Sequence, residues 1–88
     1  GVTIDPARYI VKRNGEEISL PRKEFALLTL LMSDPGRLFS REEIYSRVWG
    51  EDVVVGDRTI DVHIRKLRQK IGDEHIITVK GVGYKYEK

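Results

Sequence analysis

Apolar positions in this chain first alternate with polar ones, then recur every three or four residues, then alternate again. In residues 1–20 the pairs Val2/Ile4, Tyr9/Val11 and Ile18/Leu20 carry the two-residue period of short antiparallel strands. Asn14-Gly15 falls between two of these runs, and both residue types tolerate positive φ, so a tight hairpin is expected there. Pro6 fixes φ and removes a donor, which places an earlier turn at that point.

The period then changes. Glu24, Phe25, Leu27, Leu28, Leu31 and Met32 recur at spacings of three and four behind Pro21, a residue suited to a first helical turn, and Asp34-Pro35-Gly36 stops the run. A first helix is predicted over residues 21–33. Ser40 with Glu43 three residues on makes a capping box, with Phe39 and Ile44 in the staple positions, so a second helix is predicted over residues 40–49. Its core face is Ile44, Tyr45, Val48 and Trp49, and Gly50 ends it. A loop over residues 51–57, with Val53-Val54-Val55 at its centre, leads to a third helix predicted over residues 57–71, with Asp57 as N-cap and Gly72-Asp73 as the stop. At roughly 100° per residue, Ile60, Ile64, Leu67 and Ile71 fall within about 60° of arc, a buried stripe. Arg58, Val62, Arg65 and Gln69 lie opposite, flanked by Thr59, Asp61 and Lys66. Alternation returns in residues 76–86. Ile76-Ile77-Thr78-Val79 and Tyr84-Lys85-Tyr86 flank Lys80-Gly81-Val82-Gly83, a terminal hairpin whose tip Gly81 and Gly83 are expected to tighten.

The predicted class is α+β: an N-terminal antiparallel β-sheet, three helices and a C-terminal β-hairpin. Eighty-eight residues hold one compact domain, 1–88, and leave no room for a second. A hydrophobic share of 40% with 34% charged residues is ordinary globular usage, far from the signature of disorder. Zero cysteines exclude a disulfide scaffold, a thiolate zinc site and a cysteine nucleophile, and fit a reducing, cytoplasmic compartment. The apolar runs are too short for a transmembrane span or signal peptide, so no membrane partner is expected.

The formal net charge of +2 conceals an uneven distribution. Residues 1–56 carry 8 Lys/Arg against 9 Asp/Glu, whereas residues 57–88 carry 8 against 5. Between Arg58 and Lys70 five basic residues face one acid, Asp61. An anionic partner responds to this local imbalance, within a Debye length of roughly 8 to 10 Å.

The outer face of the third helix offers guanidinium and ammonium groups, an amide, a hydroxyl and one aliphatic, Val62. Those groups suit a DNA major groove: phosphates and guanine edges accept hydrogen bonds, adenine pairs with amides, and the thymine methyl takes apolar contact. A capped helix before it and a hairpin carrying Lys80 and Lys85 after it give the order helix-turn-helix plus wing. The third helix would enter the major groove and the wing the adjacent minor groove. On the helical wheel Arg65 and Val62 are central, the positions for base edges, and Arg68 lies on the flank, the position for phosphate. Asp61 either accepts from cytosine N4 or holds Arg65 at i+4. Trp49 belongs to the core face, with its indole N–H alone available to a phosphate. An enzyme is excluded on inventory: His63 and His75 are the only imidazoles and read as surface or flank residues, and no nucleophile elbow, nucleotide loop or metal-ligand cluster frames them. No cofactor or metal is expected. The rival reading is a winged-helix protein-interaction module with no specific DNA target, its basic face merely solvated.

Four blocks in order, Ser40-Arg41-Glu42-Glu43, Val48-Trp49-Gly50, Asp57 through Arg68, and Thr78-Val79-Lys80-Gly81-Val82-Gly83-Tyr84, resemble the winged-helix effector domain of OmpR/PhoB-type response regulators. The resemblance covers essentially the whole chain. It implies sequence-specific binding of double-stranded DNA in transcription regulation. Arg58, Thr59, Asp61, Val62, Arg65, Lys66 and Arg68 would make base and phosphate contacts, and Lys80 the wing's groove contact. Arg41, Trp49, Thr78 and Tyr84 match positions that touch the DNA backbone in similar domains. The resemblance also implies RNA polymerase contact through the 51–57 loop and a phosphorylatable receiver domain before Gly1, absent from these 88 residues. Receiver pairing would place two effector domains on repeated half-sites as a homodimer on DNA, the isolated domain remaining monomeric. The sequence departs from the pattern at Pro21, where many members have Thr, and at Lys80, where Arg is common.

Overall fold

Three short strands open the chain, β1 (Val2–Asp5), β2 (Ile10–Arg13) and β3 (Glu16–Ile18), paired in the order β1-β2-β3 in a computed structural model that describes residues 1–50 and 58–88. The 51–57 loop, the Asp57 cap and the side chains of Arg58 and Thr59 lie outside the described residues. Ile4, Val11 and Ile18 stand opposite one another across the sheet, a row of β-branched side chains that turns one face to the core. The β2–β3 turn falls on Asn14 (φ 53°) and Gly15 (φ 83°), both left-handed, as a two-residue hairpin of this twist requires. Tyr9, expected within a strand, instead sits in the preceding turn with φ 61°. Its ring stacks on Phe25 with centroids 3.9 Å apart, a contact that offsets the strained backbone.

Helix α1 (Arg22–Met32) begins one residue later than the pattern predicts, because Pro21 stays extended at ψ 156° and caps through its carbonyl, which accepts the Phe25 N–H at 2.9 Å. Its buried residues are Phe25, Leu27, Leu28 and Leu31, together with Glu24. The second helix is α-helical only over α2 (Arg41–Ile44) and continues as a single π turn over Tyr45–Trp49, closed by the Gly50 N–H on the Tyr45 carbonyl at 3.0 Å. Ser40 Oγ accepts the Glu43 N–H at 3.1 Å, one half of the expected capping box. The Glu43 carboxylate turns to Arg37 at 2.7 Å and Arg47 at 3.7 Å, while Ser40 pairs with Gly83 in a sheet.

That pairing creates an element absent from the sequence reading. Strand β4 (Phe39–Ser40) joins β5 (Ile76–Val79) and β6 (Gly83–Tyr86) in a second sheet of order β4-β6-β5, so the wing is three-stranded at its base. Gly83 is therefore not a tip residue, as the sequence suggests. A Cβ there would lie 1.9 Å from the Phe39 carbonyl oxygen, so its role is to let β4 approach. Gly81, at φ 78° with open space around it, is the turn-forming glycine. Helix α3 (Arg58–Ile71) buries Ile60, Ile64, Leu67 and Ile71 completely and packs on α1 between the two sheets.

Candidate nucleic-acid interface

The stripe of Ile60, Ile64, Leu67 and Ile71 fixes the rotation of α3, so every other position on the helix is placed relative to the core. On the flank facing the second sheet lie Asp61 and Arg68. The Asp61 carboxylate pairs with Arg41 Nη2 at 3.0 Å and accepts the Tyr84 hydroxyl, and Arg41 also donates to that hydroxyl at 3.4 Å. Arg68 donates through Nη2 to the Ile76 carbonyl at 2.7 Å and to Thr78 Oγ1 at 2.8 Å. Two charged braces thus tie α3 to the wing sheet. Burial pushes the Tyr84 hydroxyl up to about 12, helped by its bond to Asp61 and the carboxylate's charge, so it stays a donor. For Arg41 burial works against the charge, but the hydrogen bond to Asp61 and the nearby Tyr84 and Asp61 prevail, raising its pKa above the ordinary value.

The opposite flank is tied to the N-terminal half. His63 Nδ1 meets Glu24 Oε2 at 2.7 Å, with Glu24 only 2% exposed, and the His63 ring lies 5.3 Å from that of Trp49. Lys70 Nζ donates to the Ser19 carbonyl at 2.6 Å, and Arg13 donates to the Lys70 carbonyl at 3.2 Å. Sequence reasoning placed His63 on the flank but missed its partner. The available signal was a carboxylate, Glu24, inside an otherwise apolar repeat.

Between the braces an exposed strip of α3 remains: Val62, Arg65, Lys66 and Gln69. Val62 is 45% exposed, on the side of the helix away from the buried stripe of Ile60, Ile64, Leu67 and Ile71. Lys80 is exposed in the wing turn beside Gly81 and the half-exposed Val82. Between α3 and the wing opens a cleft of about 360 Å³ lined by Arg41, Asp61, Arg65, Arg68, Thr78 and Tyr84, together with Ile64 and Asp73. The structure thus brings six of the predicted residues, Arg41, Asp61, Arg65, Arg68, Thr78 and Tyr84, around one cleft, with three qualifications. Trp49 is half-buried, packed between Tyr45 and His63 with Lys23 Nζ 6.0 Å from its ring, away from the cleft. Tyr84 is buried, with its hydroxyl bonded to Asp61 and Arg41. Asp61 is engaged by Arg41 and Tyr84 rather than by Arg65 at i+4. Among the described residues no group of three or more His, Cys, Asp or Glu side chains is arranged to hold a metal ion.

A short helix, a longer helix with a cationic outer strip and a β-hairpin beside it define a winged helix-turn-helix domain. The model of the family "Transcriptional regulatory protein, C terminal" matches residues 15–86, and the chain belongs to this family, the OmpR/PhoB-type effector domains. It is 46% identical over 91 residues to the sensory transduction protein RegX3 of Mycolicibacterium smegmatis, covering 98% of this chain and 40% of that protein. The DNA-binding domain of Bacillus subtilis CssR superimposes with a TM-score of 0.88 at 36% identity, over 98% of this chain and 99% of that one. The Klebsiella pneumoniae RstA DNA-binding domain, solved in complex with RstA box, superimposes with a TM-score of 0.88 at 31% identity, over 98% of this chain and 90% of that one. The chain spans less than half the length of the curated relatives it matches. The family is one of transcription-regulator domains, not of enzymes.

Proposed function

We propose that this domain binds double-stranded DNA with sequence preference and regulates transcription as the output domain of a two-component response regulator. The observation that carries the reading is the exposed strip Val62, Arg65, Lys66 and Gln69, left clear by braces on both flanks of α3. A helix of this width fits the major groove, where Arg65 offers a bidentate fork to guanine and Gln69 an amide to adenine. Lys66 and Arg68 serve phosphates and Lys80 enters the adjacent minor groove, and the family resemblance adds Arg58 and Thr59, whose side chains lie outside the described residues, to the base and phosphate contacts. Arg41, Thr78 and the Tyr84 hydroxyl, lining the cleft, face the backbone between the two grooves, and the Trp49 indole N–H serves a phosphate beyond them. Family membership and the position of the cationic strip support this over a protein-interaction module.

In the full-length regulator a phosphorylatable receiver domain pairs two copies on repeated half-sites in the cytoplasm, and the 51–57 loop, outside the described residues, meets RNA polymerase. No helix among the described residues is long and apolar enough to cross a membrane. Selection from a random duplex pool, followed by titration against salt, tests the reading. Neutralising about four to six phosphates gives a log–log slope of about −4 to −5. Arg65→Ala costs about 1 to 3 kcal/mol on the selected site and relaxes preference at one base pair. No retention on duplex DNA at low salt, or a flat salt profile, refutes it.

A further inference from the structure

Asp61 is the one acid among five basic residues between Arg58 and Lys70, and it lies within the cleft where a DNA backbone would pass. Its side chain is 46% exposed, so it is no buried structural ion; it pairs with Arg41, and the cleft it lines also holds Arg65, Arg68 and a second carboxylate, Asp73. A carboxylate presents acceptor oxygens much as a phosphate does, and Arg engages both with the same fork. The Arg41 guanidinium 3.0 Å away and the Tyr84 hydroxyl are the donors a backbone phosphate would take in that cleft. Both come from elements other than α3: Arg41 opens α2, with its own N–H on the Val82 carbonyl at 3.3 Å, and Tyr84 stands in β6.

From this juxtaposition we infer that Asp61 is a specificity-determining residue: an internal stand-in for a DNA phosphate that occupies Arg41 and Tyr84 and repels the backbone of any duplex lacking compensating base contacts. The inference rests on the DNA-binding reading above. Two physical effects act in the same direction on specificity. On random DNA the Asp61 charge opposes phosphates at short range, and Arg41 must exchange one anion for another, so non-specific affinity is held down. On a selected site the Arg41–Asp61–Tyr84 brace fixes the angle between α3 and the wing, so less ordering is needed when both grooves are engaged. Asp61 thus acts through Arg41 and Tyr84 as a positioning residue and by its own charge as a filter.

The test compares the wild-type chain, Asp61→Asn and Asp61→Glu on two probes, a random-sequence duplex and the duplex selected by the wild type. Asparagine keeps an acceptor for Tyr84 and removes the charge. Asp61→Asn binds the random duplex about threefold or more tighter at low salt, because an opposing unit charge near the backbone is lost. Its salt slope steepens by about one, because Arg41 is released to a phosphate. Its affinity for the selected duplex does not rise in proportion, so the ratio of specific to random binding falls at least threefold. Asp61→Glu, which keeps the charge, restores most of that ratio. A merely structural role lowers binding to both probes alike and leaves the slope unchanged, and that result overturns the inference while leaving the DNA reading intact. Failure of the wild type to bind either duplex overturns both.

Discussion

Gly83 and Gly81 look interchangeable in Lys80-Gly81-Val82-Gly83, yet their replacement by alanine has consequences of different kind and size. At Gly83 the backbone is ordinary, but an added Cβ lies 1.9 Å from the Phe39 carbonyl oxygen, where real Cβ atoms stay beyond 3.0 Å. Strands β4 and β6 must part by at least the difference, about 1 Å, which takes an N–H···O bond of about 2.9 Å out of range. Losing about two such bonds costs about 2 kcal/mol. Phe39, fully buried on β4, is partly unpacked, a fraction of the about 3 to 5 kcal/mol of a Phe→Ala change. The total is about 3 to 5 kcal/mol. In a domain of this size each kcal/mol lowers Tm by about 4 to 8 °C, so Gly83→Ala lowers it by about 12 °C or more. Gly81→Ala meets no atom within 4 Å but must hold φ +78°, at a cost of about 1 to 2 kcal/mol. Thermal unfolding followed by circular dichroism measures both. A Gly83→Ala protein within about 4 °C of the wild type, or more stable than Gly81→Ala, refutes the reasoning.

The remaining predictions concern the braces around α3. His63→Leu leaves the Glu24 carboxylate buried without its imidazole partner and lowers urea-unfolding stability by about 2 to 3 kcal/mol, and adding Glu24→Leu recovers much of the loss; a double variant no more stable than the single one contradicts this. Arg68→Ala removes the bonds to Ile76 and Thr78, speeding hydrogen exchange at the β5 amides and weakening binding to random and selected duplexes alike. The Tyr84 hydroxyl titrates at about 12 in the fold against 10.0 ordinarily, so its contribution to stability is complete below pH 10 and is lost as pH rises from 10 to about 12. Tyr86, also raised, by burial and then by Glu74, acts in the same direction, so the informative quantity is wild type minus Tyr84→Phe, which shrinks above pH 10; a difference constant from about pH 9 to 12 contradicts the assignment.

Wherever an element buries a continuous stripe, local pattern determined it. Ile60, Ile64, Leu67 and Ile71 follow the helical period, so α3, its rotation and its exposed cationic strip were legible from sequence. Asn14-Gly15 likewise announced its hairpin, because positive φ at two adjacent residues is a property of those residue types. What remained for the tertiary structure is the set of contacts between elements distant in sequence. Two-residue β4 carries no period of its own, and it exists because Gly83, forty-odd positions on, has no side chain to exclude it. The Glu24–His63 pair, the Arg68 bonds to β5 and the Arg41–Asp61–Tyr84 brace join residues whose spacing encodes nothing until α3 is seated between the two sheets. The same holds for charge. Sequence counts placed five cations on α3, but only packing decided that Arg68 holds the wing while Arg65 and Lys66 remain exposed, because hydrogen-bond donors are assigned by distance in space and not by order in the chain.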